Sequence, residues 1–282
     1  MRVASLTPSN TEILAFLDRI DTLVACDDFS DWPPEASQAA ALGPDLQIDV
    51  DRLAAMDTDL VLASESVPGM EEVNEQVEEA GLRCLVLAPT TVEDVLDDVQ
   101  TVAEALDVPE RGARLAEAMQ AGLAAVDDGL GEVEPVDVYW EWWPNPPITP
   151  GAGGWMDEVI ARAGGRNVFG DREEQSLEVS RAEVEAADPD LVGLCWQGTL
   201  AGKESLELLA NRDEGAWSDL RAVEAGRVQP FPEAFYGRPG PRLVEGIRGL
   251  AAELHPERAD ELPQAWAWVP DDLKGKLPLS GP

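Results

Sequence analysis

Pro109-Glu110-Arg111-Gly112-Ala113-Arg114-Leu115-Ala116-Glu117-Ala118-Met119-Gln120-Ala121-Gly122-Leu123-Ala124-Ala125-Val126-Asp127-Asp128-Gly129-Leu130 is the stretch that decides how the chain is laid out. Leu115, Met119, Leu123, Val126 and Leu130 recur at helical spacing, and Ala and charge fill the other faces. Asp107 offers a capping side chain, and Pro109 and Glu110 suit a first turn. No Gly or Pro cluster interrupts the run to make a flexible linker. A helix of this length spans ~33 Å at ~1.5 Å per residue, far more than most crossovers need. It reads as a stiff strut between two lobes with a cleft between them.

Strand and helix alternate on both sides of the strut. Before it, Val3–Leu6, Leu23–Cys26, Leu60–Ala63 and Arg83–Leu87 read as strands. Helices are expected over Asp49–Met56, over Met70–Ala80, and after the capping-box patterns Ser9-x-x-Glu12 and Thr90-x-x-Glu93. After it, Val136–Trp140 is a strand, and Gly151-Ala152-Gly153-Gly154 leads into a helix over Trp155–Ala163. The halves also match one another. Asp57-Thr58-Asp59-Leu60-Val61 is answered by Asp188-Pro189-Asp190-Leu191-Val192, and Arg83–Leu87 by Arg227–Phe231. The fold class is therefore α/β, with two parallel-sheet lobes joined by one long helix. Residues 1–108 form the first lobe, 109–131 the linking helix and 132–255 the second lobe. Residues 256–282, rich in Pro and Asp and carrying Trp266 and Trp268, are expected to be a loose arm laid across a lobe, or partly disordered.

Charge is the unusual feature of the composition. The 282 residues carry 56 acidic against 20 basic side chains, a net of -36, and the acids are spread along the whole chain. Lysine occurs only at Lys203, Lys274 and Lys276. This balance argues against nucleic-acid partners, which need basic stripes. Cys26, Cys84 and Cys195 lie in strand-like apolar runs without metal-ligand spacing, and read as buried free thiols. His255, the one histidine, follows a helix end and is read as a cap or a surface residue. No metal site and no catalytic cofactor are expected.

Ligand-binding chemistry is better supplied. Pro8, Ser9 and Asn10 stand where strand one meets its helix, at the carboxyl edge where open parallel sheets hold ligands. Phe29, Trp32, Trp142, Trp143, Trp196, Phe235 and Tyr236 fall in strand-end loops of both halves, and Trp140 and Trp155 lie close by. Rings facing each other across a cleft suit a large, flat, partly apolar guest. Gly151-x-Gly153-Gly154 has a phosphate-loop look but lacks the full glycine fingerprint and a Walker lysine, so a tight packing turn is the plainer reading. No G-x-S-x-G occurs, and acids are too common for a catalytic pair to stand out.

The motifs Leu6-Thr7-Pro8-Ser9-Asn10-Thr11-Glu12, Phe29-Ser30-Asp31-Trp32-Pro33-Pro34, Asn145-Pro146-Pro147, Val179-Ser180-Arg181 and Arg238-x-Gly240-Pro241-Arg242 occur in order around the strut. Together they resemble the substrate-binding proteins of ABC importers for vitamin B12, siderophores and haem, most closely the B12 branch. The resemblance implies a non-catalytic binder of cobalamin or a related corrinoid, monomeric, with a cleft that closes little. By position, Trp32, Trp142 and Phe235 match aromatic contacts of that branch, and Ser64 stands where it can carry another ring. Family members dock on a permease through one acid per lobe. Asp51 holds that place in the first lobe, and Glu183, next to Ala182, is the nearest acid in the second. An ABC permease is thus a candidate partner. Arg238 leaves a ferric siderophore or haem open as ligand. From a different class, a two-lobed enzyme such as a nucleotide-sugar transferase or a metal chelatase is the alternative.

The chain opens on Met1-Arg2-Val3-Ala4-Ser5-Leu6, with no apolar leader or cleavage pattern, and has no membrane-length apolar run. As written it predicts a soluble, cytoplasmic protein. An extracellular or membrane-associated place would need an upstream export segment. The acidic surface reads as adaptation to a very salty cytoplasm, since such a surface repels itself without screening. Urea denaturation in dilute buffer and in molar KCl should show a large gain in stability with salt; equal midpoints would rule the adaptation out.

Overall fold

A computed structural model describes residues 1–196, 219–275 and 277–279. In the first lobe, β1 (Val3–Ser5), β2 (Leu23–Cys26), β3 (Ala40–Ala41), β4 (Leu60–Ser64) and β5 (Cys84–Leu87) form a parallel sheet in the order β3-β2-β1-β4-β5. Helices α1 (Pro8–Phe16), α2 (Val50–Ala54), α3 (Met70–Glu79) and α4 (Val92–Ala105) connect it. After α5 (Pro109–Leu130) the second lobe begins with β6 (Val136–Glu141), β7 (Trp143–Pro144) and β8 (Pro147–Pro150). It continues through α6 (Trp155–Arg162), β9 (Gly165–Asn167), β10 (Ser176–Glu178), α7 (Arg181–Ala187) and β11 (Leu191–Leu194). Beyond residue 218 come α8 (Arg221–Glu224), β12 (Val228–Pro230), α9 (Glu233–Tyr236) and α10 (Leu243–Leu254). The parallel sheet here runs β12-β11-β6-β9, and a small antiparallel sheet β10-β8-β7 stands beside it. The internal repeat is visible in the topology. β1, β4 and β5 lie side by side in one sheet as β6, β11 and β12 do in the other, so the two Asp-rich look-alike segments enter equivalent strands.

α5 is unbroken over the predicted residues. Its start differs from expectation: Val108 is the N-cap, and Asp107 takes φ 57°, just past the end of α4. Asp is one of the few side chains that accept this left-handed conformation, so it ends one helix rather than opening the next. Leu115, Met119, Leu123, Val126 and Leu130 are all buried, in an apolar cluster that also holds Val3 and Ile13 of the first lobe and Val138 and Trp140 of the second. The helix is therefore more than a strut. It is a common wall of a core that runs through both lobes, and each buried Leu contributes about 1.5–3 kcal/mol.

Neither expected capping box forms as predicted. In α4 the box is Thr91 with Asp94, one residue later than predicted. At α1 no box forms: Thr7 is the N-cap, its hydroxyl 3.2 Å from that of Ser9 and making no capping bond, and Ser9 and Glu12 lie inside the helix. Glu12 has another task. Fully buried, its Oε1 accepts from Arg238 at 3.1 Å and from Arg242 at 3.0 Å, both on the second lobe. Arg238 also meets Asp31 at 2.7 Å and Glu233 at 3.5 Å. Burial pushes the Glu12 carboxyl up from its usual range, and the charges of Arg242 and Arg238 pull the other way. His255, read as a cap or a surface residue, is the C-cap of α10 but is buried, with Nε2 3.0 Å from the Gly164 carbonyl.

The described residues from 256 onward are laid across the lobes, as one expectation had it, but they are anchored rather than loose. Trp266, Val269 and Leu273 are buried, and the Trp266 backbone N–H donates to buried Glu245 at 2.9 Å. A Cβ at Gly122 would sit 2.5 Å from Cβ of Trp268, so α5 needs glycine there for the segment to cross it. Rings then run from lobe to lobe: Trp32 to Phe16 at 5.6 Å, Phe16 to Trp268 at 5.8 Å, Trp268 to Trp266 at 6.2 Å and Trp266 to Phe235 at 6.0 Å. The Arg242 guanidinium closes the circuit, 4.9 Å from the Trp32 ring centre and 4.5 Å from that of Phe235. Trp266 and Trp268 are plain in the sequence, but no local pattern shows what they pack against.

Two stability outcomes are expected. Glu12→Gln removes the charge facing two buried guanidinium groups and should cost about 3–5 kcal/mol in urea unfolding; parent-like stability would show that the ion cluster is not holding the lobes. Trp266→Ala should cost about 3–5 kcal/mol by the same measurement, and a midpoint unchanged from the parent would return residues 256–279 to the status of a loose arm.

Candidate functional site

The site forms where loops at the carboxyl edges of the two sheets meet. In the first lobe the Ser64 hydroxyl donates to the Ser66 hydroxyl at 2.9 Å and accepts from the Ser66 backbone N–H at 3.1 Å. This fixes the turn that leads to Val67 and Pro68. In the second lobe β6 ends at Glu141, and the Trp142 backbone N–H donates to the Ile148 carbonyl at 2.8 Å, which sets the β7–β8 hairpin at the rim. The glycine turn follows. Backbone N–H groups of Gly151, Ala152 and Gly153 donate to the carbonyls of Gln175, Arg172 and Glu174 at 3.4, 2.6 and 3.2 Å. These amides are engaged within the lobe and do not form a phosphate cradle. Their role is to bring Gln175 and Ser176 beside Trp155; a Cβ on Gly154 would lie 3.0 Å from the Gln175 carbonyl oxygen.

Two neighbouring cavities lie between the lobes. The larger, about 570 Å³, has Leu46, Ser66, Val67, Pro68 and Pro89 on the first-lobe side and Trp142, Trp143, Ile148, Trp155, Met156, Gln175 and Ser176 on the other. The smaller, about 220 Å³, is lined by Thr7, Pro8, Ser9, Phe29, Asp45 and Met70, with Glu233 and Arg238 opposite. Leu46, Ser66, Val67, Gly237 and Pro239 border both, so the two are compartments of one cleft. The cleft is asymmetric. In the larger compartment a tryptophan wall on the second lobe faces proline and aliphatic side chains on the first, whose ring in the cleft, Phe29, borders the smaller compartment instead.

The tryptophan wall has a rigid backing. Trp142 lies 5.8 Å from Trp155 and 6.1 Å, edge to face, from fully buried Trp140. Trp140 in turn packs on Phe231 at 4.8 Å and Tyr236 at 5.2 Å. Trp143 is 42% exposed at the mouth, its indole N–H donating to the Asn145 carbonyl at 3.2 Å.

Of the side chains predicted to meet a ligand, Pro8, Ser9, Phe29, Trp142, Trp143 and Arg238 line the cleft. Asn10, Trp32, Trp196, Phe235 and Tyr236 do not border either cavity. Asn10 is buried and donates to the Ala63 carbonyl at 2.9 Å, tying α1 to β4. Trp32 lies against Phe16 and the Arg242 guanidinium. Trp196 is buried, and its indole N–H donates to Glu141 at 2.8 Å. Phe235 and Tyr236 are core rings. Strand-end position marked all of these, but it does not say which way a ring turns. Trp155 was visible as a ring after the glycine turn. Gln175 and Ser176 gave no sequence signal, because only the β8–β10 pairing brings them to the cleft.

Electrostatics divides the compartments. Among the described residues that border the larger one, none is ionisable. In the smaller one Arg238 is 6% exposed and faces Glu12, Asp31 and Glu233. Burial alone would lower its pKa, but these carboxylates outweigh that and raise it. Burial likewise pushes the Asp27 carboxyl up to about 6, while it accepts from the Phe29 backbone N–H at 2.8 Å and holds the Phe29 loop. Of the acids expected at a docking face, Asp51 is exposed in the first turn of α2. Glu183 is exposed too, but its carboxylate caps α7 through Ser180 and meets Arg172 at 3.1 Å. The Ser180 hydrogen bonds hold its pKa below the usual range.

The chain has relatives of known type. A vitamin B12-binding protein of Salmonella choleraesuis is 28% identical over 253 residues, covering 90% of each chain. The fold of the periplasmic vitamin B12-binding protein BtuF of Vibrio cholerae superposes with a TM-score of 0.76 at 24% identity, over 90% of this chain and 96% of that one. The periplasmic haem-binding protein RhuT from Roseiflexus sp. RS-1 superposes with a TM-score of 0.75 at 24% identity, over 92% of this chain and 98% of that one. The expectation of a cytoplasmic protein is overturned. It rested on the absence of a leader at Met1, whereas the family and these relatives point outside the cytoplasm. The family model for periplasmic binding proteins matches residues 3–234, and the chain belongs to that family.

Proposed function

We propose that this protein binds cobalamin or a related corrinoid, without catalysis, for an ABC-type importer. The observation that carries the reading is the wall of Trp142, Trp143 and Trp155 along an interlobe cleft of about 570 Å³. That volume is of the size small-molecule sites take, roughly 300–1,000 Å³. A planar macrocycle stacks on such a wall and covers it more fully than a compact ligand would. The relatives' names add weight to cobalamin. Haem draws less support. Among the described residues bordering the larger cavity there is no His, Tyr or Cys, the side chains that usually hold haem iron, and Met156 offers only a thioether. A corrinoid that carries its own axial ligands asks for none. A siderophore reading leaned on Arg238, and that guanidinium faces three carboxylates.

The reading includes delivery to a permease outside the cytoplasm. Asp51 is the better contact of the two candidate acids, since the Glu183 carboxylate is engaged within its own lobe. The acidic surface suits salty surroundings there as well as it would inside a cell.

Cyanocobalamin titrated against tryptophan fluorescence, corrected for ligand absorbance, should saturate at micromolar concentration or below. Trp142→Ala should weaken binding by roughly 30-fold, as for a central aromatic anchor. No quenching at high micromolar cobalamin, together with a tight haem complex, would replace this reading with the haem one.

A further inference from the structure

We propose that the cleft selects its ligand by charge: it accepts a macrocycle whose rim carries neutral amides and rejects one whose rim carries carboxylates. The proposal rests on the corrinoid reading for the ligand's shape, and on separate observations for its charge.

Three features of the cleft lead there. First, the larger compartment offers a carboxylate no cation among the described residues that border it. A charged rim group would lose water against Trp142, Pro68 and Pro89 without gaining a partner, which is costly. Second, the one guanidinium among the described residues that border the smaller compartment is already matched. Arg238 is buried against Glu12, Asp31 and Glu233, and Asp45 lines the same space, so an incoming anion meets acids rather than a free base. Third, the polar side chains at the larger compartment are of the kind that both donate and accept: Ser66, Gln175 and Ser176. An amide needs both a donor and an acceptor, whereas an ionised carboxylate only accepts and leaves half of that capacity unused.

The protein's overall charge acts in the same direction. A net of -36 repels anions at a distance, and this part of the discrimination fades in salt. The loss of hydration at the wall is local and does not fade. Selection should therefore be strong in dilute buffer and should persist, reduced, in molar KCl.

The test compares ligands matched in shape and different in charge. Cobinamide, with amidated side chains, and cobyrinic acid, with free carboxylates, form one pair; haem and its diamide form the other. Affinities are measured by tryptophan quenching and calorimetry in dilute and in molar KCl. The acid member is expected to bind about 100-fold more weakly in dilute salt and about tenfold more weakly in molar KCl. Gln175→Lys, a substitution at an exposed position of the rim, should narrow the gap by roughly tenfold by supplying a cation. Cobyrinic acid binding as tightly as cobinamide would overturn charge selection and leave the corrinoid reading standing. If neither corrinoid binds but the haem diamide outbinds haem, the corrinoid reading falls and charge selection stands. Loss of discrimination in both pairs overturns the proposal, as does a Gln175→Lys variant with an undiminished preference for amides.

Discussion

A fully buried carboxylate joins the two lobes. Glu12 sits on the first helix of the first lobe, and both of its partners, Arg238 and Arg242, come from the second. A buried ion pair of this kind adds little net stability compared with an apolar contact, because dehydrating the charges offsets their attraction. Its value is geometric. Apolar surfaces tolerate sliding, whereas a carboxylate shared by two guanidinium groups is satisfied only in a narrow range of lobe positions. The same residues then shape the cleft. Arg238 lines its smaller compartment, and Arg242 lies between Trp32 and Phe235 and excludes them from its wall.

The asymmetry of the cleft follows from how each lobe uses its rings. The second lobe has a stack running inward from Trp142 through Trp140 to Tyr236, so its exposed aromatic face is held from behind. In the first lobe Trp32 is committed to the junction, and the wall is left to Pro68, Pro89, Leu46 and Val67. One face is flat and polarisable and the other is shallow and stiff. A planar guest can lie against the first and be covered by the second without either lobe rearranging.

The architecture was legible because its signals are periodic or repeated. The apolar series from Leu115 to Leu130 specified the long helix to the residue, and the paired Asp-rich segments before Leu60 and Leu191 indicated two similar sheets. The site was legible only in part. Trp142 and Trp143 come just after β6, at the carboxyl edge of the sheet, and both border the cleft. Phe235 and Tyr236 sit in a short helix that packs on α10, and no local pattern shows that their rings point inward. Ser9-x-x-Glu12 has the composition of a capping box, but the arginines that claim Glu12 lie more than two hundred residues away in sequence. Long-range charge pairing overrode a local preference. The anchoring of the final segment was not legible for a related reason: the partners of Trp266 and Trp268, Phe235 and Phe16, belong to different lobes.

That last arrangement has a consequence for biogenesis. Phe16 and Glu12 belong to the first lobe, yet part of what covers them is made more than two hundred residues later: Arg238 and Arg242 for the carboxylate, Trp268 for the ring. As the polypeptide leaves the ribosome, the first lobe stays incomplete until residues 238–268 have emerged, with Glu12 lacking both its arginines and Phe16 packed on Trp32 without Trp268.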